Sequence, residues 1–377
     1  MNDYFEGSVR QHLERGRRLL TRIPRNLPRE FHLLAQNCER DVGSILDQLE
    51  TLLSDARMRS APYQPERLRQ FRRRVREMNY LEVFGIAALE RSNTHDAFLN
   101  QLIERIRIEI SYPLLPPVVT SLSQSYFHIH PQLRLLSVPL SEGDFLLHLP
   151  DLYHELAHPL IIERHNPIVR PFQDTASIGI DRALGYIQKE QQKEDRRRSP
   201  HMLGIYLHTW EKSWWMWAIE FFCDLFAIYT TGPAFAWAHL HLFAKLGDNP
   251  YRVPTMAQLT HPADDARMKV MLFALNVAGF RQEADMINKR WNELVSLSGA
   301  RPDPEYRRCF PNQILQQMAQ DAYDGVSAIG CRIASPETDD PIYCVLNEAW
   351  TEFWRSPMDY VIWERGAVFR LRQLLSS

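Results

Sequence analysis

Residues 154–158 read His154-Glu155-Leu156-Ala157-His158, an HExxH signature. The pattern works only on a helix. Histidines at i and i+4 share a face when 3.6 residues complete a turn, so the chemistry dictates the local backbone. In that geometry His154 and His158 supply two of the four tetrahedral positions of Zn²⁺. Glu155 is offset to one side, where its carboxylate takes a proton from a water held at the metal. The motif then calls for a third ligand from elsewhere in the chain.

The nearest completion fails. An HExxHxxGxxH pattern needs glycine at 161 and histidine at 164, where this chain has Ile161 and Arg164. His165 is one residue out of register and reads as a loop residue. Pro159 directly follows the second histidine; it disfavours helical geometry at His158 and removes a backbone donor, so the metal helix is expected to end or kink there.

A better source of the ligand is the stretch Trp217-Ala218-Ile219-Glu220-Phe221-Phe222-Cys223-Asp224-Leu225-Phe226-Ala227. Two carboxylates stand four apart in an apolar, aromatic helix, and buried carboxylates are costly unless paired or bound to a metal. Neither has a basic neighbour at i±3 or i±4, so the partner comes from another segment. Arginines from elsewhere, or a helix face open to water, would also accommodate them. The reading that explains more makes Glu220 the third zinc ligand, with Asp224 accepting the free N–H of a ligand histidine and orienting it.

These residues resemble the gluzincin zinc peptidases, and most of all the family of HtpX-type and CAAX prenyl proteases. The ligand helix of that family reads E-x-x-A-D-x-x-A; Glu220, Asp224 and Ala227 match it, with Cys223 in place of the usual alanine. The family also carries T-H-P, four residues, then arginine and an apolar residue, a spacing that Thr260-His261-Pro262 and Arg267-Met268 reproduce. The likeness spans roughly residues 126 to 275. It departs from the family, whose members are often embedded in membranes, in having no spanning segment and in the polar insert Gln188 to Pro200. The resemblance implies a zinc-dependent endopeptidase: Zn²⁺ on His154, His158 and Glu220, Glu155 as general base, and His261 as a donor to the developing oxyanion. His261 also reads as a cap or turn histidine before Pro262; Tyr153 and Arg267 are lesser candidates for the donor.

Composition narrows the remainder. Lys+Arg 44 against Asp+Glu 46 leaves no global attraction to nucleic acid or acidic membrane. The basic runs Arg72-Arg73-Arg74 with Arg76, and Arg196-Arg197-Arg198, read as solvated faces. Cys38, Cys223, Cys309, Cys331 and Cys344 are odd in number and lack CxxC spacing, which suits a reducing compartment. No signal-type h-region stands in residues 1–20. The apolar stretch Trp214–Phe243 carries Glu220, Asp224 and Gly232-Pro233, and reads as a buried helix and turn rather than a membrane span. A cytoplasmic protein acting on a protein or peptide substrate is expected.

The fold class expected is mainly α (α+β). A helical N-terminal region covers 1–112, with stripes at Ile45, Leu49, Leu52 and Leu53, at Leu68, Phe71, Val75 and Met78, and at Leu99, Leu102, Ile103, Ile106 and Ile110. A zinc peptidase core covers 113–275. Pro113, Pro116 and Pro117 stop the helical pattern there, and strands are expected at Tyr126–His130 and Leu133–Val138, followed by turn residues Ser141–Asp144. His128 and His130 read as ordinary strand residues, and an edge of this sheet could pair with an extended peptide. From Pro171 onward the chain again reads as mostly helical, with polar breaks at Asp195–Pro200 and Gly299–Pro304, and a helical C-terminal region, 276–377, packs on the core. The rival readings are a zinc hydrolase with a non-peptide substrate and a helical interaction protein with a structural or degenerate zinc site.

Overall fold

The computed structural model of the chain describes residues 2–60, 63–92, 94–123, 126–139, 145–163, 166–196, 202–255 and 257–376. His165, the turn Ser141–Asp144 and the break from Arg197 to Pro200 lie outside them. The protein is mainly helical with one small sheet, and packing divides it into two units: 1–101 with 117–140, and 102–116 with 141–377. The compositional boundaries at 112 and 275 fall elsewhere.

The first unit begins with α1 (Asn2–Arg22), α2 (His32–Ser54), α3 (Ala56–Arg59) and α4 (Gln64–Tyr80). A π-helical segment, Leu81–Ile86, leads into α5 (Ala87–Arg91), and α6 (Thr94–Glu109) follows. The spacing in α2 is realised, since Val42, Ile45, Leu49 and Leu52 are all buried against Leu13, Met78 and Leu89. In α4 only Met78 of the four-residue stripe is fully buried, and Leu68 is exposed. The basic run lies on α4, where Arg73, exposed, and Arg74, largely buried, both pair with Glu77.

The sheet holds β1 (Val118–Ser123), β2 (His128–His130) and β3 (Leu135–Pro139) in the order β1-β3-β2. β1 runs parallel to β3, with Val119 opposite Leu136, and β2 runs antiparallel with Ile129 opposite Leu136. The sequence signals β2 and β3 but not β1, which follows the proline cluster directly. The outer edge of β1 is already occupied. Asn100 of α6 donates to the Val119 carbonyl and accepts from the Val119 N–H, both at 2.8 Å, and Asp96 accepts from Ser121 N–H at 2.8 Å. These side chains replace a strand, so this edge does not offer the backbone groups that peptide addition requires. The sheet also belongs to the first unit, whereas the HExxH helix belongs to the second.

The second unit is helical: α7 (Asp151–Ile162), α8 (Arg170–Arg196), α9 (Met202–Thr231), α10 (Pro233–Leu246), α11 (Asp264–Val277), α12 (Arg281–Ser298), α13 (Pro304–Cys309), α14 (Asn312–Ala328), α15 (Pro341–Arg355) and α16 (Tyr360–Ser376). α9 packs against α7, α8, α11 and α14 and forms the centre of the unit. Its Trp210, Trp214, Trp217, Phe221 and Phe222 are fully buried, which accounts for the aromatic density as core. No helix among the described residues is long and apolar enough to cross a membrane. Between α9 and α10 the chain reverses at Gly232, whose φ of 68° favours glycine. A β-carbon there would also meet Tyr343 at 3.1 Å.

The turn before α7 carries a buried histidine with a pH signature. His148 Nε2 lies 3.4 Å from Lys245 Nζ, and its ring is 5.4 Å from that of His241. Burial first, then the charge of Lys245 and the neighbouring His241, lower its pKa to about 3. The native protein therefore keeps His148 neutral while an unfolded chain protonates it near pH 6.5. Its contribution is intact above pH 6.5 and is lost as pH falls from there toward 3, by about 1.4 kcal/mol per pH unit. Unfolding free energies from urea titrations at pH 7 and pH 5 are expected to differ by about 2 kcal/mol less in His148→Gln than in the wild type. Equal acid losses in the two proteins would refute this assignment.

Candidate metal centre

α7 is buried almost all round: Leu152, Tyr153, His154, Glu155, Leu156 and Ala157 are each below a tenth exposed. Contrary to the expectation from Pro159, the helix neither ends nor loses its spacing there. It runs on to Ile162, and Glu163 N–H donates to the Pro159 carbonyl at 3.0 Å. Proline removes the N–H that would have bonded the Glu155 carbonyl, a cost of about 3 kcal/mol in a helix interior. Burial of Leu152, Leu156 and Leu160, roughly 1.5–3 kcal/mol each, outweighs it. The histidines keep the i, i+4 geometry, with ring centroids 5.2 Å apart.

Asp224 fixes the first histidine. Its side chain is wholly buried, and Oδ1 accepts from His154 Nδ1 at 2.9 Å. Arg267, in the first turn of α11, grips the same carboxylate with two bonds, Nε to Oδ2 at 2.8 Å and Nη2 to Oδ1 at 2.7 Å. Burial alone would raise the Asp224 pKa, but Arg267 and then His154 hold it well below the usual carboxylate range. Phe235 of α10 stacks on the His154 ring at 5.8 Å. The ring is thus held at one edge and one face, and only Nε2 is left to act as a metal donor. Arg267, a lesser candidate for the oxyanion donor in the sequence, is the cation that Asp224 lacked on its own helix.

Glu220 lies one turn before Asp224, on the same side of α9. Its Oε2 is 3.4 Å from His154 Nε2 and 3.6 Å from His261 Nε2. Two zinc ligands at about 2.05 Å in a tetrahedron stand about 3.3 Å apart, so the His154–Glu220 separation fits the edge of such a site. Burial opposes charge on His154, yet its hydrogen bonds to Asp224 and Glu220 prevail and lift its pKa to about 10. Burial likewise works against the Glu220 carboxylate, and His154, His158 and His261 bring it down to about 2. The two shifts share one interaction, the attraction between the Glu220 carboxylate and the imidazole of His154 beside it. Arg267 neutralises Asp224, which leaves Glu220 as the carboxylate of α9 that faces His154 and His261.

His261 precedes α11 at an exposed bend. The loop that carries it is tied to α9, because the indole N–H of Trp217 donates to the Leu259 carbonyl at 2.9 Å and that of Trp210 to Pro254 at 3.0 Å. Thr260 Oγ lies 2.9 Å from His261 Nδ1. A Thr260 hydroxyl donating there leaves the proton on Nε2, the nitrogen that faces Glu220. His261 therefore sits at the site, beside a predicted ligand and open to solvent. Tyr153 does not; it lines a small cavity with Glu109, Thr230 and Arg332.

The sequence missed Cys223. Among the described residues it completes a group of three possible donors: the ligand atoms of His154, His158 and Cys223 all lie within 4.8 Å of one another, and Glu220, which meets His154, is not in that group. Burial and then the nearby carboxylates Glu220, Asp224 and Glu155 push its pKa well above that of an ordinary thiol. A signal existed, since Cys223 is at i+3 from Glu220 and shares its face, but a buried cysteine in an aromatic helix usually reads as core. No protein-family model, no curated protein and no solved structure matches the chain.

Proposed function

We propose that this chain is a zinc-dependent endopeptidase of the gluzincin kind, with His154, His158 and Glu220 as ligands. The observation that carries this reading is the arrangement around His154: Asp224 holds Nδ1, and Nε2 faces Glu220 at 3.4 Å. The order of HExxH, ExxxD and the Thr260-His261-Pro262 element supports the family reading. Imidazole and carboxylate donors with an adjacent thiol suit zinc better than magnesium or calcium. When bound, the metal supplies Lewis acidity for a carbonyl and brings the pKa of a water toward neutrality.

The chain's own residues provide the rest. Asp224 and Arg267 keep His154 in one orientation and one tautomer. Glu155 accepts the proton of the attacking water and passes it to the departing amine, the role of a general base that becomes a general acid. His261 donates from Nε2 to the oxyanion that develops on the peptide carbonyl. Cys223 favours a second reading, an interaction protein with a structural metal enclosed by protein donors. Against it stands Glu155, for which a closed structural site has no use.

Cleavage of casein or a peptide library distinguishes the two. The purified protein is expected to cut, to lose that activity on chelation, and to regain it with one equivalent of zinc. A zinc-loaded protein that cleaves nothing across a broad library, as wild type and as Cys223→Ala alike, would overturn the peptidase reading in favour of the structural one.

A further inference from the structure

The position of Cys223 bears on how such a site is controlled, a role that rests on the zinc site proposed for His154, His158 and Glu220. Three functional positions of α9 face α7: Glu220, Cys223 at i+3 and Asp224 at i+4. Asp224 is committed to His154 and Arg267, and Glu220 lies against His154 and His261. Cys223 is wholly buried, and its sulfur falls within 4.8 Å of the donor nitrogens of both motif histidines. Tetrahedral zinc with bonds of about 2.05 Å to nitrogen and 2.3 Å to sulfur places those atoms about 3.6 Å apart, inside that envelope. The other buried cysteines, Cys38, Cys309 and Cys331, belong to no such donor group among the described residues.

We infer that Cys223 is a fourth protein ligand that competes with water for the open coordination position and holds the peptidase latent. Its ligation is an exchange. The S–H bond breaks, the thiolate sulfur joins the metal, water leaves the position it occupied, and the proton goes to solvent. Glu155 remains beside the metal but lacks its water while sulfur is in place. Activity then depends on displacement of the thiolate, by substrate or by a thiol-reactive compound. A buried sulfur on a long core helix is displaced less readily than water, so the resting protein is expected to be slow.

Cobalt(II) in place of zinc reports directly on sulfur ligation. The cobalt-loaded wild type is expected to show the intense near-ultraviolet charge-transfer absorption of a thiolate–cobalt bond. Cys223→Ala is expected to lose that band, to keep the visible bands of tetrahedral cobalt at one metal per chain, and to cleave peptide at least tenfold faster when loaded with zinc. One cobalt per chain in the wild type without the thiolate band overturns the role of Cys223 and leaves the His154–His158–Glu220 site intact. A band that persists in Cys223→Ala also overturns it, since another cysteine is then responsible. Failure of cobalt and zinc to bind either protein overturns the metal site itself, and this inference with it. A Cys223→Ala protein that unfolds is replaced by Cys223→Val, which fills the same buried space and gives the same readouts.

Discussion

Glu155→Gln is expected to lower peptide cleavage by about 10²–10⁴-fold while leaving zinc at one per chain. The amide keeps the size of the carboxylate but cannot accept a proton, so the change isolates proton transfer from metal binding. Glu155 is buried, and it contributes no atom to the His154–His158–Cys223 donor cluster. Its loss should therefore leave the affinity for zinc nearly unchanged. The rate should fall in kcat rather than rise in KM, because the proton moves only in the transition state. Zinc content and steady-state cleavage, measured on the same preparation, check both halves. A variant that retains wild-type activity would remove Glu155 from the reaction; one that loses zinc along with activity would make it a ligand.

The second large effect concerns Arg267. Its guanidinium holds a wholly buried Asp224 through two hydrogen bonds, and Asp224 in turn holds His154. Arg267→Met removes the cation and leaves the carboxylate in the interior with His154 as its remaining polar partner in this network. Breaking a buried pair from one side costs about 3–5 kcal/mol, far more than a surface pair contributes. Urea unfolding of the metal-free protein measures this loss. Asp224→Asn in the same background removes the stranded charge and is expected to recover much of the stability. Zinc affinity should nonetheless remain about 10–100-fold weaker in the double variant, because the anion that orients His154 is gone. An Arg267→Met protein as stable as the wild type would show that the pair does not carry the site.

Much of this centre can be read from spacing alone. HExxH states its own helix, and two carboxylates four apart in an aromatic run state a cost that only a partner can offset. Those rules point to a meeting of His154, Glu220 and Asp224 across the long segment between them, whereas His261 comes from the family resemblance that Thr260-His261-Pro262 carries and not from spacing. What spacing cannot supply is the partner that tertiary packing chooses. Arg267 is remote from Asp224 in sequence, and nothing local marks it as the clamp. Cys223 looks like core because the residues around it are core. Pro159 suggests a helix end by a local rule, but burial of α7 on α8 and α9 overrides that rule. β1 escapes notice because its edge is satisfied by Asn100 and Asp96, side chains of a helix, rather than by a second strand with a readable pattern.

The site as a whole rests on whether the cluster on α7 and α9 holds a metal. The most direct test is the metal content of the chain, purified without chelators and dialysed against zinc, together with that of His158→Ala. One zinc per chain in the wild type and next to none in the variant is the predicted result. A folded wild type that emerges from zinc dialysis without metal would contradict the account at its root, and would leave His154 as a buried imidazolium between Asp224 and Glu220.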